Sequence, residues 1–345
     1  MKLRAGIIGV ALAFFFFVQI LSQYPAFVEN YYSNGFYLIV AFILSNFSSL
    51  FPFSLSEFTI WFSVIFGLPF ILYRIRKLRM PVSQIFLNLI ITASVIYVWF
   101  YLCWGINYLR MPLKTKLALE DVHIPINAFD STFVQMIRHA NDLNLTYSIE
   151  RVGEINQIIE TSYQSVLTRL GLRKIPGTPV IKPMFGNWVL NKTITSGWFS
   201  PFFHEVHFNS DVMIFELPFI IAHEKAHRLG YTSEAEANFL AFLVCVNAKE
   251  PLCQYSGYFQ VLSHFLINVR EQKRDPRYFS EMMSDGVKLD METVKKRWQI
   301  HRGVISRISN KSYNLYLKLN QVEEGIKNYS MVVDLLVRYY AKNPG

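Results

Sequence analysis

The sequence predicts an α+β, mostly helical chain in which N-terminal transmembrane helices precede a globular domain with a small β-sheet. Three observations lead there. Long stretches near the N-terminus carry almost no charge, much of the remainder spaces its apolar residues at helical intervals, and a middle region mixes β-branched and aromatic residues broken by Gly and Pro. Of 345 residues, 52% are hydrophobic and 17% charged, against about 25% charged in a soluble domain. Disordered, collagen-like and acidic-tail classes are thereby excluded. The net charge of +9 suits an anionic membrane surface as well as nucleic acid. No phosphate-binding Gly loop or nucleic-acid motif accompanies it, so nucleic acid is not an expected partner. Cys103, Cys245 and Cys253 form an odd set with no CxxC pattern and imply no disulfide framework.

Residues 1–110 read as a membrane anchor. Between Ala5 and Tyr73 the only charges are Glu29 and Glu57, and between Met80 and Leu109 there are none. A bilayer core needs roughly 20 apolar residues, which predicts spans near Gly6–Gln23, Glu57–Tyr73 and Ser83–Tyr108. A fourth apolar stretch, Gly35–Phe51, is interrupted by Ser45, Asn46, Ser48 and Ser49 and stopped by Pro52. Charge decides its status. Lys2 and Arg4 precede the first span, and Arg74, Arg76, Lys77 and Arg79 follow the second. Basic loops stay cytoplasmic. Three spans keep both clusters inside, whereas a fourth would strand the second outside. Gly35–Phe51 is therefore read as re-entrant or interfacial. The chain is expected to be multi-pass in the cytoplasmic membrane, with residues 111–345 extracytoplasmic and the lipid bilayer as a partner. No small-x-small cleavage site follows the first span, so it reads as an uncleaved anchor.

The second domain is taken in chain order. Met111–Thr146 is polar and contains Pro112 and Pro125, which reads as a linker. Val152–Leu172 has helical periodicity, with Ile155, Ile158, Ile159, Tyr163, Val166 and Leu170 on one face. Pro176–Phe185 and Thr193–Phe208 read as short strands or a hairpin. Pro218 starts a helix running to Arg228, and Gly230 lies just past its end. Thr232 or Ser233 caps a helix over Glu234–Ala248, another follows over Gly257–Arg270, and residues after Lys288 read as helical to the end.

The chemistry is concentrated in His223-Glu224-Lys225-Ala226-His227. Residues four apart on a helix share a face, so both imidazoles can turn a ring nitrogen to one tetrahedral ion. Zinc, at about 2.0–2.1 Å from each nitrogen, suits that spacing. Glu224 flanks the open position, where it can take a proton from water. A catalytic zinc site needs a third protein ligand. Gly230 permits a sharp turn, after which the next helix can return with Glu234 or Glu236. These two face nearly opposite sides of a helix. Glu234 is the preferred ligand, because Asn238, four residues on, shares its face and can steady the carboxylate. Lys225 and Arg228 are expected on the face away from the metal, in solvent or lipid headgroups.

The run from HExxH through Gly230 to Glu234-Ala235-Glu236-Ala237-Asn238 is similar to the gluzincin metallopeptidases, whose integral-membrane members carry ExxAD with the first Glu as third ligand. The chain more closely resembles an uncharacterised bacterial family of three-span membrane proteins with an HExxH domain. That resemblance lies in Pro52-Phe53-Ser54-Leu55-Ser56-Glu57, Trp104-Gly105-Ile106-Asn107-Tyr108, Leu217-Pro218-Phe219, His223–Phe242 and Tyr255-Ser256-Gly257-Tyr258. It implies a zincin-like metallopeptidase domain.

Together these readings predict a membrane-anchored zinc metallopeptidase, with Zn2+ held by His223, His227 and Glu234 and with Glu224 as general base. Its substrate would be a peptide or protein near the membrane. The alternative is a non-hydrolytic membrane sensor or scaffold that retains the metallopeptidase fold. A transport role would need ionisable residues along the spans, which offer almost none. Among lesser candidates, His204-Glu205-Val206-His207 reads as an edge strand on which an extended peptide could add, with Glu205 contacting it. Tyr258 and His264 read as structural, or as donors to an oxyanion.

Overall fold

The computed structural model describes residues 2–144, 152–175, 180–320 and 331–343. The expectations that fall on residues 145–146, 176–179, 321–330 and 344–345 lie outside the described residues. The chain divides into two compact units. One comprises Met1–Met111 with Ile175–Phe185 and Ser200–Glu205, and the other comprises Pro112–Lys174, Gly186–Phe199 and Val206–Gly345.

In the first unit, three described helices are long and apolar enough to cross a membrane: α1 (Lys2–Leu21), α3 (Leu55–Lys77) and α4 (Val82–Cys103). They have 20, 23 and 22 residues, or about 30–35 Å at 1.5 Å per residue, matching a hydrocarbon core of about 30 Å. Large apolar side chains such as Phe16, Phe58, Phe62, Phe86 and Leu89 stand exposed on them, as lipid-facing residues do. Between α1 and α3, α2 (Tyr37–Ser49) has 13 residues, about 20 Å. Ser45 and Ser49 return their hydroxyls to the Ala41 and Ser45 carbonyls at 2.5 and 2.7 Å.

The third span ends earlier than Tyr108. The helix stops at Cys103, and Gly105–Leu109 forms a 3-10 turn. Asn107 Nδ2 donates to the Trp104 carbonyl at 2.9 Å, while the Tyr32 hydroxyl donates to the Leu102 carbonyl at 2.9 Å. These bonds satisfy carbonyls that the end of a helix leaves open. At Gly105 a Cβ would stand 2.7 Å from the Phe100 ring, so any larger residue would have to displace that ring. Glu29 and Arg110 form a buried, two-pronged ion pair at 2.9 Å on each side.

A second buried pair in this unit joins Lys182 to Glu205 at 2.7 Å, with side-chain exposures of 3% and 0%. Charges that deep persist only when their other bonding positions are also filled. Lys182 Nζ donates to the Ser48 and Phe53 carbonyls. The Glu205 carboxylate accepts from the Leu55 and Ser56 amides at 2.9 Å and from the Ser56 hydroxyl at 2.6 Å. Leu55 and Ser56 open α3, so Glu205 sits at the positive end of that helix. Ser54 caps the same helix by accepting from the Glu57 amide at 2.9 Å.

The strands β1 (Ile181–Pro183), β2 (Gly197–Ser200) and β3 (Glu205–Phe208) form one sheet in the order β1-β3-β2. The middle region thus contains strands as read, but β3 is the central strand and all four of its residues are buried. The expected edge strand open to a peptide is therefore absent, and Glu205 is spent on Lys182 and the α3 amides.

The second unit is helical. The segment read as a linker contains α5 (Ala128–Leu143), which buries Phe133, Met136, Ile137 and Ala140. The i, i+3, i+4, i+7 spacing of those residues is that of an amphipathic helix. There follow α6 (Val152–Arg169), α7 (Asn187–Thr193), α8 (Leu217–Arg228), α9 (Glu234–Val246), α10 (Pro251–Glu271), α11 (Asp285–His301), α12 (Val304–Leu319) and α13 (Met331–Lys342). The central helix is α9, which is buried from Glu234 to Cys245 except at Glu236. It is apolar around most of its circumference because α8, α10, α13 and α6 all pack on it. Phe239 and Phe242 are fully buried, and each such side chain contributes about 1.5–3 kcal/mol. At Gly257 a Cβ would come within 2.8 Å of Cys245 Cβ, so α10 crosses α9 at close range.

Candidate metal centre

Pro218 lies in the first turn of α8, where its missing N–H costs nothing. The Ser256 hydroxyl accepts from the Phe219 amide at 3.1 Å, and the Tyr163 hydroxyl donates to the Ala222 carbonyl at 2.5 Å. Both bonds hold the approach to His223 rigid. The helix ends at Arg228, and Gly230 takes φ +84°, a conformation that side chains other than glycine adopt at a cost. The chain then reverses into α9.

This corner brings His223, His227 and Glu234 together, with one potential ligand atom from each within 4.8 Å of the others. The two imidazole Nε2 atoms are 3.0 Å apart. Glu234 Oε2 lies 3.2 Å from His223 Nε2, and its Oε1 lies 3.6 Å from His227 Nε2. A tetrahedral ion with bonds of about 2.0–2.1 Å needs donors about 3.3 Å apart, and these three separations bracket that value. The donor set, two imidazoles and a carboxylate, is also one that zinc accepts.

The opposite ring nitrogens are already engaged. His227 Nδ1 donates to the Tyr231 carbonyl at 2.7 Å, and His223 Nδ1 donates to Asn238 Oδ1 at 2.8 Å. A carbonyl oxygen only accepts, so each Nδ1 carries a proton and each Nε2 is the ring nitrogen that a cation would take, in place of any proton there. Asn238 therefore steadies an imidazole rather than the carboxylate expected from its spacing. The Glu234 carboxylate is held instead by Tyr313 of α12, whose hydroxyl donates to Oε1.

The electrostatics favour positive charge at this point. Burial pushes the Glu234 carboxyl up, but hydrogen bonds and charge from both histidines outweigh it and hold the group well below the carboxylate range. Burial lowers His227, while Glu234, Glu224 and the Tyr231 carbonyl raise it, to about 9 in all. An arrangement that holds a proton this strongly also attracts a divalent cation.

Glu224 is buried and faces the same cluster. Burial raises its carboxyl, opposed by the two histidines, reinforced by Glu234 and eased by a hydrogen bond from the Phe199 backbone. The net direction is upward. Strand β2 closes against it: at Gly197 a Cβ would lie 2.7 Å from Glu224 Oε1 and from Ile220 Cγ2.

The remaining candidates separate clearly. Glu236 accepts from the Leu113 amide at 2.6 Å and is not part of the cluster. Lys225 and Arg228 are buried, not solvated. Lys225 pairs with Glu160 of α6 at 2.6 Å, which compensates its charge. Tyr258 stacks on His139 with ring centroids 4.7 Å apart, a packing role. Burial and the His223 charge push His264 down, to about 4, so a neutral imidazole borders the cluster. Tyr313 and the Tyr231 carbonyl were not identified from sequence. Tyr313 lies far along the chain in a helix with no motif, and a backbone carbonyl leaves no mark in a residue pattern.

Fold and site together define a membrane protein with a helical domain in which two histidines of an HExxH helix and a glutamate of the next helix form a three-donor cluster. The chain belongs to the family described as protein of unknown function (DUF3810), whose model matches residues 32–337. Comparison with curated proteins and with solved structures finds no match to the chain.

Proposed function

We propose that this protein is a membrane-anchored zinc-dependent hydrolase that cleaves peptide bonds in substrates near the membrane. One observation carries the reading: three donor atoms converge at 3.0–3.6 Å, with both histidine tautomers set by bonds on the far side of the rings. His223, His227 and Glu234 would hold the ion. Bound there, zinc supplies a Lewis acid that polarises a carbonyl and makes water nucleophilic near neutral pH.

The chain's own groups do the rest. Glu224 takes a proton from the attacking water as its oxygen joins the carbonyl carbon. It then delivers that proton to the amide nitrogen as the C–N bond breaks. Burial with an upward-shifted carboxyl suits a group that must both accept and release a proton. The floor made by Gly197 and Ile220 keeps that carboxyl from turning away. The positive-inside pattern of Lys2 and Arg4, and of Arg74, Arg76, Lys77 and Arg79, supports a domain on the extracytoplasmic side of the cytoplasmic membrane.

The test is metal analysis of the purified full-length chain. Stoichiometric zinc in the wild type and in Glu236→Ala, and none in His223→Ala or Glu234→Ala, is the expected result. Peptide cleavage by the wild type that disappears in zinc-loaded Glu224→Gln completes it. Zinc without any cleavage of a diverse peptide pool would reject the hydrolase.

A further inference from the structure

Helix α12 is amphipathic with an unusual polarity. Ser306 is buried and Tyr313, one heptad on, bonds Glu234, so the face turned to the domain is polar. On the opposite face Val304, Ile308 and Leu315 line up, with Ile305 beside them. Their exposures are 62%, 58%, 58% and 52%. Residues at such spacing share one face of the helix, on which Lys311 lies between Ile308 and Leu315. Large apolar side chains turned outward together from residue 304 to 315 mark a surface that meets an apolar partner.

Two observations indicate what covers it. Arg307, exposed, flanks the strip on one edge, Lys311, also exposed, stands on it between Ile308 and Leu315, and Arg302 is exposed just before the helix. No acidic residue occurs between Arg302 and Asn320. An apolar face flanked by Arg307, with a long lysine that can extend its ammonium to the surface, is complementary to anionic headgroups over acyl chains. The neighbouring α7, which packs on α12, exposes Trp188 at 60%, and Trp is a residue that settles at the level of lipid headgroups. The same chain carries three helices long and apolar enough to cross a membrane, so lipid is its permanent environment.

We propose that α12 is an interfacial helix that lies on an anionic phospholipid surface, with its Val304–Ile308–Leu315 strip in the acyl boundary and Arg307 and Lys311 among the headgroups. This holds whether or not the metal cluster is catalytic.

The experiment uses the full-length chain with single cysteines at Ile308→Cys or Leu315→Cys, carrying an environment-sensitive fluorophore. Cys103, Cys245 and Cys253 are buried and stay unlabelled. A label at Ile126→Cys, a fully exposed position, is the water reference. The proteins are placed in phosphatidylcholine nanodiscs with and without phosphatidylglycerol, and brominated lipid serves as quencher. The expected result is blue-shifted, lipid-quenched emission at 308 and 315 and none at 126. In Arg307→Glu/Lys311→Glu carrying either label, lipid contact falls about fivefold per charge removed. Emission at 308 and 315 quenched no more than at 126 would overturn the proposal. So would a blue shift without lipid quenching, which would assign the strip to a second copy of the chain. Quenching indifferent to headgroup charge would overturn the anionic assignment.

Discussion

His223 Nδ1 and Asn238 Oδ1 lie 2.8 Å apart, so the side chain that fixes the first imidazole comes from the helix that also supplies Glu234. One turn of α9 thus delivers both an acidic donor and the partner of another donor. Replacing Asn238 by Leu frees the His223 ring, and zinc affinity should fall about 10–100-fold, as losses of such outer partners typically do. Asn238→Asp, which keeps an acceptor there, should retain it. Competition with a chromogenic chelator reads both.

Glu224→Gln keeps the shape of the side chain and removes the base. Zinc content should be unchanged, while the hydrolysis rate falls by about 10²–10⁴. Loss of zinc in parallel with activity would mean that Glu224 serves the ion rather than the water.

Gly197→Ala introduces a methyl group 2.7 Å from Glu224 Oε1 and Ile220 Cγ2. Overpacking of this kind costs about 1–3 kcal/mol. The melting temperature should drop and activity should fall with the zinc content intact, because the clash is with the base and not with the ligands. Differential scanning fluorimetry with metal analysis separates the two effects.

The Lys182–Glu205 pair makes a prediction about pH. Burial pushes the Glu205 carboxyl up, but hydrogen bonds from Lys182, Ser56 and Leu55 outweigh it, and the net shift is downward. The folded carboxyl therefore titrates below its unfolded value of about 4.3. Its stabilisation is fully present above that value and is lost as pH falls through the folded pKa. Lys182→Met should remove about 3–5 kcal/mol by stranding a buried charge, and the double variant Lys182→Met/Glu205→Leu should recover most of it. Thermal melts of the detergent-solubilised chain between pH 3 and 7 test both statements, and equal loss in the single and double variants would contradict the second.

The spans and the three-donor corner were legible because each rests on a local rule. Charge-free runs of sufficient length mark membrane helices, and His223, His227, Gly230 and Glu234 are held together by helix periodicity and one turn. Features that depend on distant partners were not legible in the same way. Lys225 reads as solvated by composition and is buried only because Glu160 meets it from α6. His204–His207 reads as an edge strand because sequence does not tell on which side Ile181–Pro183 will pair. The helix over Ala128–Leu143 had a readable apolar spacing that Pro125 and the polar neighbours obscured. Asn238 shares a face with Glu234, yet it serves His223, because the turn at Gly230 brings that imidazole within 2.8 Å of it.

The donors of the cluster all fall between residues 223 and 234, on two helical turns and one glycine bend. Bringing them together requires closing a loop of that length only, an event of about 10–100 ns in a free chain. The ion-binding geometry can therefore arise during synthesis, before α10 or α13 has left the ribosome. Under the proposed zinc reading, free energy of ion capture at that stage would become free energy of folding, and the corner would then seed the helical domain. Cells starved of zinc while making this protein would accumulate less folded chain, a deficit that zinc added after synthesis would only partly repair.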